Sequence, residues 1–307
     1  MPGEKRFTLR FVKPGLLRTL ALVCSIVLGG LLPQAHTLSW SIRWLILGML
    51  FLVFLQTRLS RSALHRSHGV LLVVNVLMGF AGWGLGWLVG GRDVALAGFF
   101  AAITPTASAA PVVMSFLKGR VEYVVAAFLV TNVIIAALLP GILPVVLGHT
   151  APHVFAHVLG SVGLVMFVPL TAAWLLRLVY PAAAGWPKRL GNVSFGLWCV
   201  ALFIITANAS YFLHTQPDLP TAGLVEIALV TSLICAANFF LGHLIGGRTF
   251  PREASQSLGQ KNTTLTIYLA LTYASPYVAL GPTCYVICHN IWNSWQLHRI
   301  GADKAKP

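Results

Sequence analysis

The sequence predicts an all-α polytopic membrane protein. The expected architecture is ten transmembrane helices in two inverted five-helix repeats, with the fourth and ninth helices discontinuous and crossing. Three observations predict it. First, the 307 residues are 57% hydrophobic and only 9% charged, where a soluble domain carries roughly 25% charged residues. Second, ten apolar runs are long enough to span a bilayer, which takes about 20 residues each. Third, the fourth and ninth runs are interrupted at matching places.

Taken in order, the runs cover 15–33, 38–56, 69–90, 93–117, 122–147, 153–180, 191–213, 221–246, 253–274 and 277–298. The connections are short, so no soluble domain is inserted. Segment 1–14 is a basic N-terminal piece that leads into a full-length span, so no cleavable signal peptide is expected. Residues 301–307 form a C-terminal tail.

The basic residues set the orientation. With the N-terminus inside, seventeen Lys and Arg fall on the cytoplasmic side, from Lys5 and Arg6 through Arg248 and Arg252 to Lys306. The opposite connections hold only Arg92. This asymmetry predicts a multi-pass protein of the inner (plasma) membrane with both termini cytoplasmic. It also accounts for the net charge of +14 through topology, with the bilayer as partner and no role for nucleic acid. Arg18 and Arg43 lie near helix ends and can snorkel. Lys261 is the one basic residue left deep in a span.

The spans divide at the short 148–153 connection into 15–148 and 149–300. Five spans per half is an odd number, so the halves sit inverted in the bilayer. Interrupted segments at corresponding positions of two such halves point to a transporter's midplane site.

Each break has its own chemistry. In the fourth run, Pro105 and Pro111 bracket Thr106, Ala107, Ser108, Ala109 and Ala110. A proline removes a hydrogen bond and disfavours helix just before it. In the ninth run, Gly259 is followed by Gln260, Lys261, Asn262, Thr263 and Thr264, whose side chains compete for backbone groups. A lysine at a helix centre costs about 2.5–3.5 kcal/mol on insertion scales, so a binding role is the leading reading. No carboxylate lies on the same run except Glu253, two turns away. A buried positive charge without a fixed anion suits an anionic substrate.

Among the other buried polar residues, Asn75, Asn208, Glu226 and Asn238 read singly as helix–helix contacts. Asn132, His289 and Asn290 read as site residues, because their spans directly follow the broken ones. The five cysteines all lie in apolar runs. Cys284, Cys288 and His289 share a helical face, but a zinc site needs about four ligands, so these are packing residues and no metal or cofactor is expected. No convergent nucleophile–base pair is visible, so an enzyme is not expected either.

These residues carry a family resemblance. Pro105-Thr106-Ala107-Ser108, then Val113-Met114-Ser115-Phe116-Leu117 with Lys118-Gly119-Arg120, Gly259-Gln260-Lys261-Asn262 and Cys288-His289-Asn290 resemble the bile acid:sodium symporter (BASS) family, as a divergent bacterial-type member. The resemblance covers nearly the whole chain. It implies a core of the helices within 69–147 and 221–298 beside a panel of those within 15–56 and 153–213, with organic anions passing between them.

The chain departs from the family at its sodium ligands. The resemblance places the family's Ser-Asn pair at Pro111-Val112, its two hydroxyls at Val124 and Phe128, its Glu at Ser257 and its Gln at Lys261, with Asn262 retained. Valine and phenylalanine cannot coordinate sodium, and lysine repels it. A register slip would bring Thr106 or Ser108 back as ligands. The expected function is therefore secondary active transport of an organic anion by alternating access, independent of sodium, with Lys261 replacing a bound cation or acting in proton coupling. One alternative is a sodium-coupled symporter with rearranged ligands. Another is a channel or receptor on the same fold. The candidate site comprises Pro105, Thr106, Ser108, Pro111, Asn132, Ser257, Gln260, Lys261, Asn262, Thr263, His289 and Asn290.

Overall fold

A computed structural model describes residues 14–56, 63–107, 109–148, 152–215 and 221–303. The described residues are helical and contain no strand, only a single isolated β-bridge. Among the described residues, five segments are long and apolar enough to cross a membrane: Pro33–Leu52, Arg66–Ile103, Val121–Leu147, Asn192–Thr215 and Thr221–Gly246. Large apolar side chains on their outer faces stay exposed, among them Leu77, Leu88, Val145 and Leu229. Apolar helices with apolar exteriors are in keeping with a multi-pass membrane protein.

Helices α1 (Pro14–Leu31) and α2 (Ile42–Gln56) are joined by a 3-10 turn, Pro33–Ser41. That turn takes in residues 38–41, which the hydropathy pattern assigns to the second span. The reason is local chemistry. Thr37, Ser39 and Ser41 each donate their hydroxyl to a carbonyl three residues back, which favours i→i+3 geometry over an α-helix. The His36 ring also stacks on Tyr211 at 3.6 Å.

Helix α3 (Arg66–Ile103) is two limbs rather than one rod. Gly91 sits at φ 78° and ψ −155° between them, a conformation open to glycine and strained for other residues. The limbs fold back on each other with almost no side chain between. A Cβ on Gly82 would stand 2.7 Å from the Gly98 carbonyl oxygen, and one on Gly86 would stand 2.4 Å from that of Val94. Small residues thus let two backbones touch, as they do in membrane helix pairs. The second limb is buried on nearly every side from Val94 to Ile103, which explains why it is apolar all round.

Short α4 (Ala110–Phe116) and long α5 (Val121–Leu147) follow, then α6 (Pro152–Val179), α7 (Trp186–Arg189) and α8 (Gly191–Thr215). Helix α9 (Thr221–Gly246) turns through Gly247, at φ 56°, into α10 (Pro251–Gly259). This second hairpin is as close as the first. A Cβ on Gly242 would lie 2.6 Å from the Ala254 carbonyl oxygen. Helices α11 (Thr263–Tyr273) and α12 (Pro276–Asp303) complete the chain.

The two hairpins pack together, α3 against α9, with α12 against both. Val94, Ala97 and Ala101 of α3 meet Ile227, Ile234 and Phe239 of α9 and Tyr285 of α12. A larger apolar cluster joins Phe99, Phe100 and Ile103 to α2, α5 and α11 through Ile46, Phe128, Ile135 and Leu265. Helix α1 packs on α8, and α2 on α6. The end of α3 and the end of α10 are thereby held at the centre of the packed helices.

Candidate functional site: two paired backbone breaks

Helix α3 stops at Ile103 because Pro105 follows two residues later. Thr104 takes extended geometry, φ −47° and ψ 131°, as a residue before proline does. Its hydroxyl donates to the Phe100 carbonyl at 2.6 Å and shares a 2.9 Å hydrogen bond with the Thr266 hydroxyl of α11. Helix α10 stops at Gly259, with Gln260 extended at φ −84° and ψ 110°. A side chain on Gly259 would collide with the Phe239 ring at 2.3 Å, so this end is as closely packed as the first.

The two interruptions satisfy each other. Thr106 and Lys261 form an antiparallel bridge. The Ala107 N–H donates to the Gln260 carbonyl at 2.8 Å, and the Asn262 N–H donates to the Pro105 carbonyl at 2.8 Å. Unpaired backbone in an apolar interior costs several kcal/mol per group. Pairing the breaks removes that cost for these four groups and fixes the angle at which the chain segments cross.

Side chains complete the frame. The Thr106 hydroxyl donates to the Ser257 carbonyl at 2.6 Å, and Thr131 Oγ1 donates to Thr106 Oγ1 at 3.0 Å. Asn132 Nδ2 donates to the Thr106 carbonyl at 2.9 Å and to that of Phe128 at 2.8 Å. Thr131 and Asn132 thus pin the first break to α5. Tyr285 of α12 pins the second, its hydroxyl donating to the Gly259 carbonyl at 2.8 Å.

Lys261 is 1% exposed. Its ammonium donates to Asn75 Oδ1 on the first limb of α3. Asn75 is held in turn, with Nδ2 donating to the Ile103 carbonyl at 2.9 Å, the last carbonyl before the first break. Among the described residues no carboxylate pairs with Lys261.

The remaining expected site residues divide. Ser257 is buried at the crossing, although its hydroxyl donates to the Glu253 carbonyl of its own helix. Gln260 and Thr263 are buried, and the Thr263 carbonyl accepts from Thr266. Pro111 is the second residue of α4, partly buried, so helix resumes before the second proline. His289 is buried against the Tyr285 ring, centroids 5.8 Å apart. Asn290 donates to Val286 on its own helix and, among the described residues, makes no hydrogen bond to the breaks. Ser108 lies outside the described residues. Val124 and Phe128 are fully buried apolar residues.

Asn75, Thr131, Tyr285 and the Thr104–Thr266 pair join the site without being singled out by sequence. Several buried polar atoms of the region have no partner among the described residues: Asn132 Oδ1, Asn238 Oδ1, Gln256 Oε1, Gln260 Nε2 and His289 Nδ1. The chemistry on offer is one buried cation, a set of hydroxyls and free amide groups. Among the described residues no three His, Cys, Asp or Glu side chains gather as metal ligands. A scan of protein-family models and a search of curated proteins gave no match to the chain.

Proposed function

We propose that this chain is a secondary active transporter of an organic anion, working by alternating access without sodium. In this reading ten spans form two inverted five-helix repeats, both termini are cytoplasmic, and the breaks meet near mid-membrane. Lys261 supplies the positive charge that a bound cation would otherwise bring. One observation carries the reading: a lysine 1% exposed sits within the paired breaks and, among the described residues, hydrogen-bonds to a neutral acceptor, Asn75. A charge so placed is costly, and a transported anion is the natural counter-charge. Alternating access would then move the two hairpins and their paired breaks as one body against the remaining helices. Uptake into proteoliposomes tests this. Uptake should persist without sodium and respond to a proton gradient. Strict dependence on sodium with no effect of a proton gradient would reject the proposal.

One observation favours a second reading, sodium coupling through rearranged ligands. Sodium needs several oxygens. Thr106 Oγ1 and Thr131 Oγ1 lie 3.0 Å apart, and neighbouring Asn132 Oδ1 is buried without a partner. The same assay decides between the two readings.

A further inference from the structure

A second meeting place lies at one end of the helices, where aromatic rings tie together three connections. The Phe250 ring, at the α9–α10 turn, is 4.6 Å from the His65 ring and 4.6 Å from the Tyr123 ring. The Arg120 guanidinium lies 5.1 Å above the Phe250 ring. The Ser67 and Tyr123 hydroxyls share a 2.7 Å hydrogen bond. Buried Glu253 accepts the Arg120 backbone N–H at 2.9 Å, which joins the start of α10 to the start of α5.

This knot gathers positive charge. Arg66 is the first residue of α3, Lys118 and Arg120 lie between α4 and α5, and Arg248 and Arg252 flank the turn into α10. All five are exposed. Among the described residues none forms an ion pair with a carboxylate. The one acid of this cluster that is buried, Glu253, is engaged with backbone. Exposed Glu122, in the first turn of α5, is the nearest other carboxylate in sequence, so the five cations stay in excess at a point where three separate connections converge.

We infer that this end of the protein binds an anionic phospholipid. The five cations take the headgroup phosphate. The acyl chains lie along the exposed apolar faces that begin about one turn away, Val70, Val73 and Leu77 on α3 and Phe240 and Leu244 on α9. A basic rim directly above an apolar, outward-facing wall suits an amphipathic anion better than a free one. Juxtamembrane Lys and Arg each add about 1 kcal/mol of attraction to an anionic leaflet. The position also has a consequence. Lys118 lies two residues beyond α4, and Arg252 is the second residue of α10. A seated lipid would therefore contact the outer ends of both short helices that enter the crossing.

The test uses the full chain in nanodiscs of phosphatidylcholine, with and without phosphatidylglycerol. Native mass spectrometry reads retained lipid, and thermal melting reads stability. Phosphatidylglycerol should be retained in preference and should raise Tm. Neutralising Arg66, Lys118, Arg248 and Arg252 to Gln should lower that preference about fivefold per cation. Arg66→Lys, Arg248→Lys and Arg252→Lys together should keep it. Three results would overturn the inference: no preference for phosphatidylglycerol in the unsubstituted chain, an equal loss when Arg177 and Arg189 are neutralised instead, or the same Tm rise from inorganic phosphate alone.

Discussion

Lys261 donates its ammonium proton to Asn75 across 186 residues of sequence. The bond links the second break to the first limb of α3. Asn75 then passes the connection to Ile103, at the edge of the first break. One asparagine thus serves both interruptions, accepting from one and donating to the other.

Removing this acceptor should be costly. Asn75→Leu leaves the buried ammonium without its hydrogen bond and frees the Ile103 carbonyl. An unsatisfied buried polar group costs about 1–3 kcal/mol, and a charged one more. We expect a loss of about 3 kcal/mol, read as a lower Tm in detergent. Asn75→Leu combined with Lys261→Met should recover most of it, because both polar partners are then gone. A double variant as unstable as the single one would show that Asn75 acts elsewhere.

Much of this was legible in the chain. The helical class followed from the hydropathy of the runs, and both interruptions from Pro105 and from the polar stretch Gln260-Lys261-Asn262. Lys261 stood out because a lysine inside an apolar run has no cheap place to go. Asn75 looked like any asparagine on a membrane helix, since nothing local marks which distant group it will meet. Thr131 was hidden for a similar reason: its hydroxyl can always bond the Ala127 carbonyl one turn back, and does so at 2.8 Å. Only the fold shows that it also reaches Thr106. Residues 38–41 belong to a membrane-length segment, as hydropathy indicates, but hydropathy does not register the Ser and Thr hydroxyls that give this part 3-10 geometry.

The hairpin within α3 depends on the absence of side chains. Gly86→Ala would place a Cβ 2.4 Å from the Val94 carbonyl oxygen, and backbone cannot swing aside. Overpacking of this kind costs about 1–3 kcal/mol. Gly84→Ala, two residues away, meets nothing within 4 Å and should leave stability unchanged or slightly raised by helix propensity. Thermal melting of the pair checks the contact. Equal Tm values would mean that the limbs are not packed through Gly86.

The charge asymmetry makes a separate statement about orientation. In the proposed topology, with seventeen basic residues on one side against one on the other, residues 4 and 304 are cytoplasmic. Cysteines introduced there should resist a membrane-impermeant thiol reagent applied to intact cells and react after the cells are opened. The unsubstituted chain, with five native cysteines, supplies the background. Labelling of either position from outside would reverse the topology and remove the basis for two inverted halves.

The sharpest prediction concerns Lys261. Lys261→Ala removes the charge at the crossing and leaves Asn75 Oδ1 without its donor. The backbone bridge should survive, since Ala107 and Asn262 bond through main-chain atoms only. The span also becomes more apolar, so insertion should not suffer. Transport should therefore fall sharply in proteoliposomes while the protein folds at normal yield. Lys261→Gln separates two explanations. It keeps a long polar side chain able to donate to Asn75, so stability should be close to that of the unsubstituted chain. It should not confer sodium coupling, because Val124 and Phe128 offer no oxygen and sodium stripped of water needs several at once. Robust sodium-driven uptake by Lys261→Gln would mean that Thr106, Thr131 and Asn132 already form a working cation site that the lysine merely blocks. Normal transport by Lys261→Ala would remove the lysine from the mechanism altogether.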